Sequence, residues 1–157
     1  MTKMIVNLSN ATLTLVGHRY REIRSFRALK HIMLGSMTEG LDIARAAGFN
    51  PIPIPGAPSP LMMRLSTALP EFLSDAVLKG NLASVDLNSM GQDILQLGRD
   101  VSELESLTGY FIGLADRLKV AAPINRTIYD LCKRRFAERP FVPMDEAEVW
   151  EEIERRM

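Results

Sequence analysis

The chain has 157 residues, the size of a single domain with one hydrophobic core. Its 46% hydrophobic and 24% charged residues are typical of a globular rather than a disordered chain. Lys plus Arg and Asp plus Glu both number 19, so the net charge is zero and the basic excess typical of nucleic-acid-binding proteins is lacking.

The first two predicted elements are helices. Residues 2–16 (TKMIVNLSNATLTLV) are rich in apolar residues up to a glycine, although their β-branched members would also suit a strand. Residues 25–47 repeat apolar side chains every three or four positions, which predicts an amphipathic helix that ends at Gly48. Gly35 and Gly40 are expected to weaken this helix by up to about 1 kcal/mol each relative to Ala.

The middle of the chain is more varied. Residues 50–60 contain five prolines, which predicts an extended connector. A helix with a break at Pro70 is expected over about 60–79. One short helix is expected near 89–97, within a stretch of mixed character.

Three further helices are predicted over 101–118, 123–138 and 144–157. The first two repeat apolar side chains at three or four residues, and Pro123 stands at the start of the second. The last is acidic at its start and basic at its end, as the helix dipole favours. Because no strand is predicted with comparable support, the predicted fold class is all-α.

A narrow polar stripe runs along the first predicted helix. At 100° per residue, Lys3, Asn7, Asn10 and Thr14 fall within about 60° of each other, and apolar residues occupy most of the remaining surface. This pattern suits a helix that is buried on most sides and lines a polar cleft. The alternative is an ordinary strip of solvent-exposed residues.

Charged residues near two of the later helices also allow two explanations. Glu103 borders the apolar arc of its helix, which would place a carboxylate at the edge of a cleft, but Asp100 and Glu103, like Ser102 and Glu105, have the spacing of a capping box. The basic run 133–135 suits either the dipole at a helix end or a phosphate contact.

Cys132 is the single cysteine, so an internal disulfide and a Cys-rich zinc site are excluded, and we expect a buried or partly buried thiol. His18 and His31 are far from it in sequence, and no metal-ligand cluster is evident. No apolar run approaches the ~20 residues that span a bilayer, and no signal peptide is evident. We therefore expect a protein of the reducing cytoplasm with no membrane or nucleic-acid partner.

Motifs that bind phosphate or present a nucleophile are lacking as well. The sequence contains no Gly-x-Gly-x-x-Gly, no Gly-x-x-x-x-Gly-Lys-Ser/Thr and no Gly-x-Ser-x-Gly. These residues alone therefore show no complete active site.

Four segments resemble the C-terminal domain of ketopantoate reductases. Residues 102–110 (SELESLTGY) are similar to the family's Thr-Glu-Ile-Asp-Tyr-x-Asn-Gly segment, and residues 118–129 (LKVAAPINRTIY) to its Gly-Ile-Pro-Thr-Pro-Val-Asn-Arg-Thr-Leu-Tyr segment. Residues 3–13 resemble the Lys-Leu-x-x-Asn opening of that domain, and residues 88–93 its Ser-Met-x-Gln-Asp segment. Their order and approximate spacing match over residues 3–138.

The resemblance implies a helical bundle of the 6-phosphogluconate dehydrogenase C-terminal type, which in the family follows a Rossmann domain that binds NADPH. A small 2-oxo acid lies between the two domains. Lys3 matches the catalytic lysine, a general acid toward the substrate carbonyl oxygen, and Asn7 matches a substrate-binding asparagine. Glu103 matches the carboxylate that binds the substrate hydroxyl, and Ser89 matches a serine near the substrate carboxylate.

The chain also departs from the family pattern. No residues correspond to the Rossmann domain, and Ser89 precedes Glu103 by 14 residues, slightly more than the family's usual separation. Thr108 stands where the family has an asparagine, and Tyr20-Arg21-Glu22 replaces the family's Asn-Gly-Glu turn.

We therefore expect a ketopantoate reductase C-terminal-like domain over 1–138 and a helical extension over 139–157, with the N-terminal Rossmann domain absent. The first hypothesis is a substrate-binding and dimerisation domain of an NADPH-dependent reductase resembling the 2-dehydropantoate 2-reductase of pantothenate biosynthesis. Alone it would bind no NADPH, form a homodimer and be inactive without a separate Rossmann domain. The alternative is a non-catalytic helical module that keeps the fold for oligomerisation or partner binding.

Overall fold

The computed structural model describes residues 1–50, 79–80, 82, 88–99 and 103–157. Its helices are α1 (Thr2–Asn7), α2 (Ser9–Leu15), α3 (Phe26–Ala46), α4 (Ser89–Gly91), π1 (Gln92–Gln96), π2 (Glu105–Gly109), α5 (Tyr110–Leu118), α6 (Pro123–Arg135) and α7 (Glu146–Glu154). No strand occurs within these ranges, which confirms the all-α prediction. The predicted connector at 50–60 and the helix at 60–79 lie almost wholly outside the described residues.

The first predicted helix is helical and not a strand, but it is divided in two. Leu8 separates α1 from α2, yet it keeps helical dihedral angles (φ −56°, ψ −29°), and its N–H donates to the Met4 carbonyl at 3.1 Å. The two helices therefore follow one another with nearly continuous hydrogen bonding. Six of the seven residues of α2 are buried, so this helix is enclosed on most sides.

Helix α3 lies within one residue of its predicted bounds at each end. Ser25 caps its start, with the Ser25 hydroxyl accepting from the Ala28 N–H at 3.2 Å. At its end Gly48 takes a positive φ of 83°, and the Phe49 N–H donates to the Ala44 carbonyl at 2.9 Å. This is a Schellman motif, which needs a glycine-like conformation at that position.

Gly35 and Gly40 have a packing role that the sequence did not show. The Ile124 side chain occupies the place where a Cβ of Gly35 would stand, and the Leu8 side chain does the same at Gly40. Both glycines therefore let a neighbouring helix approach α3 closely, beyond any weakening of α3 itself.

Two groups of buried apolar side chains form the core on either side of α3. The larger group joins α2, α3, α6 and α7 and includes Leu15, Ile32, Ile128 and Ile153. The smaller joins α1, α3 and α5 and includes Leu8, Met37 and Phe111. Full burial of one such side chain contributes about 1.5–3 kcal/mol to the stability of the fold. Helix α3 contributes side chains to both groups and therefore joins them.

The helix predicted over 101–118 differs from the structure at its start. Residues 101 and 102 lie outside the described residues, and Glu105–Gly109 forms a π-helical turn before α5 begins. A second π-helical turn, π1, extends α4. Turns of this kind are rare in proteins overall, and those that occur are often at functional sites. An apolar repeat of three and four residues in the sequence does not reveal them.

The C-terminal extension packs onto the rest of the fold. Asp145 and Glu148 form a capping box at the start of α7, and the Asp145 carboxylate accepts from the Ala147 N–H at 2.9 Å. Val149 and Ile153 of α7 are fully buried in the larger core group. The predicted helix over 144–157 is thus present as Glu146–Glu154.

Two glycines with positive φ offer a matched pair of variants. Gly17 (φ 69°) and Gly48 (φ 83°) both end a helix with the Schellman hydrogen-bond pattern, but a Cβ at Gly17 would stand 2.5 Å from the Pro143 ring, whereas nothing lies within 4 Å at Gly48. We expect Gly48→Ala to cost about 1–2 kcal/mol of unfolding free energy for the left-handed conformation alone. Gly17→Ala should cost about 1–3 kcal/mol more because the added methyl group collides with Pro143.

Urea denaturation of both variants and the parent measures these values. Equal losses for the two variants would contradict the close packing of Pro143 against Gly17.

Candidate functional site

The polar stripe runs from solvent into the fold. Lys3 is exposed, Asn7 and Asn10 are half-buried and Thr14 is buried. A strip that simply faces solvent would not end in a buried threonine, so the stripe faces solvent only at its Lys3 end, and the polar cleft stays a prediction.

Ser89 and Glu103 come together although 14 residues separate them. The Ser89 hydroxyl donates to the Glu103 Oε2 at 3.0 Å, and both side chains are exposed. Ser89 is the first residue of α4 and Glu103 precedes π2, so π1 lies between the two residues in the chain and π2 follows them. The result is an accessible carboxylate with a hydroxyl group beside it.

Asn88 connects this pair to the polar stripe. Its Oδ1 accepts from the Gly91 N–H at 2.8 Å and from the Thr14 Oγ1 at 3.4 Å. The first bond caps α4, and the second ties that cap to the buried end of the stripe. The Ser89–Glu103 pair therefore lies near the buried end of the stripe.

Lys3 and Asn7 lie further along the stripe. Among the described residues, no hydrogen bond or ion pair joins either side chain to Ser89 or Glu103. At 1.5 Å per residue, Lys3 is about 16 Å along the helix axis from Thr14. Convergence of Lys3, Asn7 and Glu103 on one ligand stays a prediction.

A buried polar network that the sequence did not reveal fixes the start of α6. Glu39 accepts from the Ile124 N–H at 2.8 Å and from the Asn125 N–H at 2.9 Å. The buried Asn125 side chain donates to Glu39 at 2.8 Å and accepts from the Ser36 hydroxyl at 2.8 Å. Asn125 belongs to the Asn-Arg-Thr segment of the family pattern, and in this chain it serves to join α6 to α3.

Burial governs the protonation of Glu39. It raises the pKa of this carboxyl above its ordinary value of 4.5, while the N–H groups of Asn125 and Ile124 act in the opposite direction. The only sequence signal for this network is the pair of polar residues, Ser36 and Glu39, that interrupts the apolar period of α3.

A fully buried carboxylate, Glu146, anchors the C-terminal extension. Arg21 donates to the Glu146 Oε1 at 2.6 Å and to the Met144 carbonyl at 2.8 Å. Glu146 also accepts from the backbone N–H groups of Arg24 and Ser25 at 3.3 and 3.4 Å. The partners are more than 120 residues apart, so no local pattern signals them.

The basic run 133–135 is involved in ion pairs on the protein surface. Lys133 donates to the Glu105 Oε1 at 2.6 Å, and the Tyr129 hydroxyl lies 2.7–2.8 Å from both oxygens of Glu105. The Lys133 hydrogen bond, followed by that of Tyr129, lowers the pKa of Glu105. Arg135 pairs with Glu138 at 2.9 Å. Lys133 and Arg135 thus have protein partners, which favours the structural explanation of the run over a phosphate contact.

The thiol of Cys132 is fully buried, as expected, and donates to the Ala11 carbonyl at 3.7 Å. Burial raises its pKa, which makes the nucleophilic thiolate inaccessible near neutral pH. In the described ranges, no group of three or more His, Cys, Asp or Glu side chains is placed to hold a metal ion. None of the helices there combines the length and hydrophobicity that a bilayer span requires.

The described residues do not fit NADPH. A dinucleotide is usually held where a glycine-rich turn links a β-strand to a helix. The sequence lacks that glycine pattern, and the described part of the chain contains no strand to carry it.

Comparison with known proteins gives one match. The family model described as "Ketopantoate reductase PanE/ApbA C terminal" matches residues 1–136. The search of curated proteins and the search of solved structures each found no match. The matched region ends just before the extension that carries α7.

The pH dependence of stability tests the environment of Glu39. Because burial raises its pKa, the folded chain holds this proton more tightly than the unfolded chain. The stability of the parent relative to Glu39→Gln should therefore be greatest below pH 4.5 and should fall as the pH rises through the folded pKa. Urea denaturation of both proteins at pH values from about 3.5 to about 8 measures this difference in unfolding free energy.

Glu105→Gln is the matched control, because the pKa of Glu105 is lowered. Its contribution is present above the ordinary value of 4.5 and is lost as the pH falls through the folded pKa, so the slope has the opposite sign. A Glu39 contribution that grew with pH would mean that the N–H bonds outweigh burial.

Proposed function

Because the chain belongs to the ketopantoate reductase C-terminal domain family, we propose that it is the substrate-binding and dimerisation domain of an NADPH-dependent 2-oxo acid reductase. The observation that carries the proposal is the hydrogen bond of 3.0 Å between Ser89 and Glu103. These two positions match substrate-binding residues of the family. Their link through Asn88 to Thr14, at the buried end of the stripe, supports a site that both share.

Each proposed residue has a chemical task. The Glu103 carboxylate accepts a hydrogen bond from the substrate hydroxyl, taking the place that the Ser89 hydroxyl has in the structure. The exposed Lys3 ammonium donates its proton to the carbonyl oxygen, where negative charge develops as hydride arrives. Asn7, one turn further along the helix, orients the same oxygen.

The hydride donor must be held elsewhere. We propose that NADPH is bound by a Rossmann domain outside these residues, and that the 157 residues alone reduce no 2-oxo acid. If the acid is ketopantoate, the complete protein acts in pantothenate biosynthesis. A cytoplasmic location is consistent with the unpaired thiol of Cys132.

Dimerisation is supported by apolar side chains left on the surface. Tyr110 and Leu118 of α5 are 40% and 36% exposed, and Leu97 is 56% exposed. Apolar surface of this kind is often covered by a second copy in helical proteins. The same surface would serve the alternative function, a non-catalytic oligomerisation module.

Titration of the ¹⁵N-labelled chain with ketopantoate tests the substrate site. We expect saturable shifts of the amide signals of Ser89 and Glu103. Glu103→Gln should weaken binding about tenfold or more, since a hydrogen bond to a charged group is worth about 1.5–3 kcal/mol. Glu151→Gln, a change on the exposed face of α7, should bind as the parent does.

NADPH is the control ligand, and its binding is followed by its own fluorescence. Titration with the chain should cause no saturable change in the fluorescence of NADPH. Binding of NADPH at micromolar concentration would overturn the proposal that a separate Rossmann domain holds the cofactor. An absence of any shift with ketopantoate would overturn the substrate site.

Light scattering at high protein concentration tests the dimer. We expect a mass of twice 17.6 kDa for the parent. Tyr110→Lys should shift the mass toward the monomer, because it places a charge in the proposed interface. Tyr20→Lys changes an equally exposed tyrosine outside α5 and should leave the dimer intact. A parent mass of 17.6 kDa would contradict the proposal.

A further inference from the structure

The hydrogen bonds of Asn88 fix which way its side-chain amide points. The Gly91 backbone N–H can only donate, so the Asn88 atom that faces it at 2.8 Å must be the carbonyl oxygen. The Thr14 hydroxyl donates to the same oxygen at 3.4 Å. A carbonyl oxygen has two lone pairs, and both are directed at these donors.

The other end of the same amide is therefore its NH₂ group. Asn88 is half-buried, and no described residue accepts a hydrogen bond from its Nδ2. Two N–H donors of fixed orientation thus stand next to Ser89 in the chain. Neighbouring Cα atoms in a chain are about 3.8 Å apart, so Asn88 itself lies beside the Ser89–Glu103 pair.

We propose that the Asn88 NH₂ group binds the carboxylate of the small 2-oxo acid. This inference rests on the proposed function and adds a residue to its site. The Glu103 carboxylate would repel a second carboxylate brought close to it, so the ligand must present its hydroxyl to Glu103 and its carboxylate to a donor. Asn88 supplies neutral N–H donors without an acceptor facing the ligand, which selects an anionic group over a neutral one.

Asn88→Asp separates the binding role from the structural one. Aspartate caps a helix as well as asparagine does, so oxygens remain for the Gly91 N–H and the Thr14 hydroxyl. Only the two N–H donors are lost, and a negative charge takes their place. We expect the affinity for ketopantoate, measured by calorimetry, to fall at least tenfold.

The methyl ester of ketopantoate, which lacks the carboxylate charge, should bind Asn88→Asp within twofold of the parent. Asn88→Ser keeps a capping oxygen, loses the donors and adds no charge, so its affinity for the acid should fall several-fold. Gln96→Glu adds the same charge at the other end of the α4–π1 segment and should leave both affinities unchanged.

The outcomes separate this inference from the proposed function. If Asn88→Asp binds the acid as the parent does while Glu103→Gln does not, the role of Asn88 is overturned and the proposed function stands. If Asn88→Asp weakens acid and ester equally, its role is structural and the inference is again overturned. If the parent binds neither compound, the proposed function fails and the inference fails with it.

Discussion

Helix α3 is approached closely by two other helices because glycine stands at both points of contact. Ile124 at the start of α6 fits over Gly35, and Leu8 between α1 and α2 fits over Gly40. A Cβ at either position would collide with a terminal methyl group, so the Ile124 or Leu8 side chain would have to shift. The close packing of these two side chains on α3 therefore depends on the absence of two Cβ atoms.

Two carboxylates, the half-buried Glu39 and the buried Glu146, then hold the elements that pack around α3. Glu39 accepts the N–H groups at the start of α6, and Glu146 accepts those just before α3 while pairing with Arg21. A buried carboxylate is costly unless its oxygens are satisfied, and both of these have several donors. Burial raises the pKa of Glu39, and its hydrogen bonds act in the opposite direction. Glu103, to which the described residues supply one side-chain donor, lies at the surface, where a ligand can reach it.

Sequence periodicity was sufficient for the fold class and for α3, whose apolar repeat, Ser25 cap and terminal Gly48 are all local signals. It was insufficient wherever a partner lies far along the chain. The Glu146–Arg21 pair and the Asn125–Glu39 network join segments that no spacing rule connects. The resemblance to a known family singled out Ser89 and Glu103, but the hydrogen bond between them, across 14 residues of chain that include π1, was visible only in the structure. Asn88 had no sequence signal beyond its place before Ser89.

The central claim is that the Ser89–Glu103 pair and the stripe beginning at Lys3 form one site for a small 2-oxo acid. A crystal structure of the chain with bound ketopantoate tests it most directly. The account predicts electron density for the acid with its hydroxyl about 2.5–3.0 Å from the Glu103 carboxylate and with Lys3 directed at its carbonyl oxygen. Density for the acid on a surface that excludes Glu103, or a Lys3 ammonium that points away from the bound acid, would contradict it.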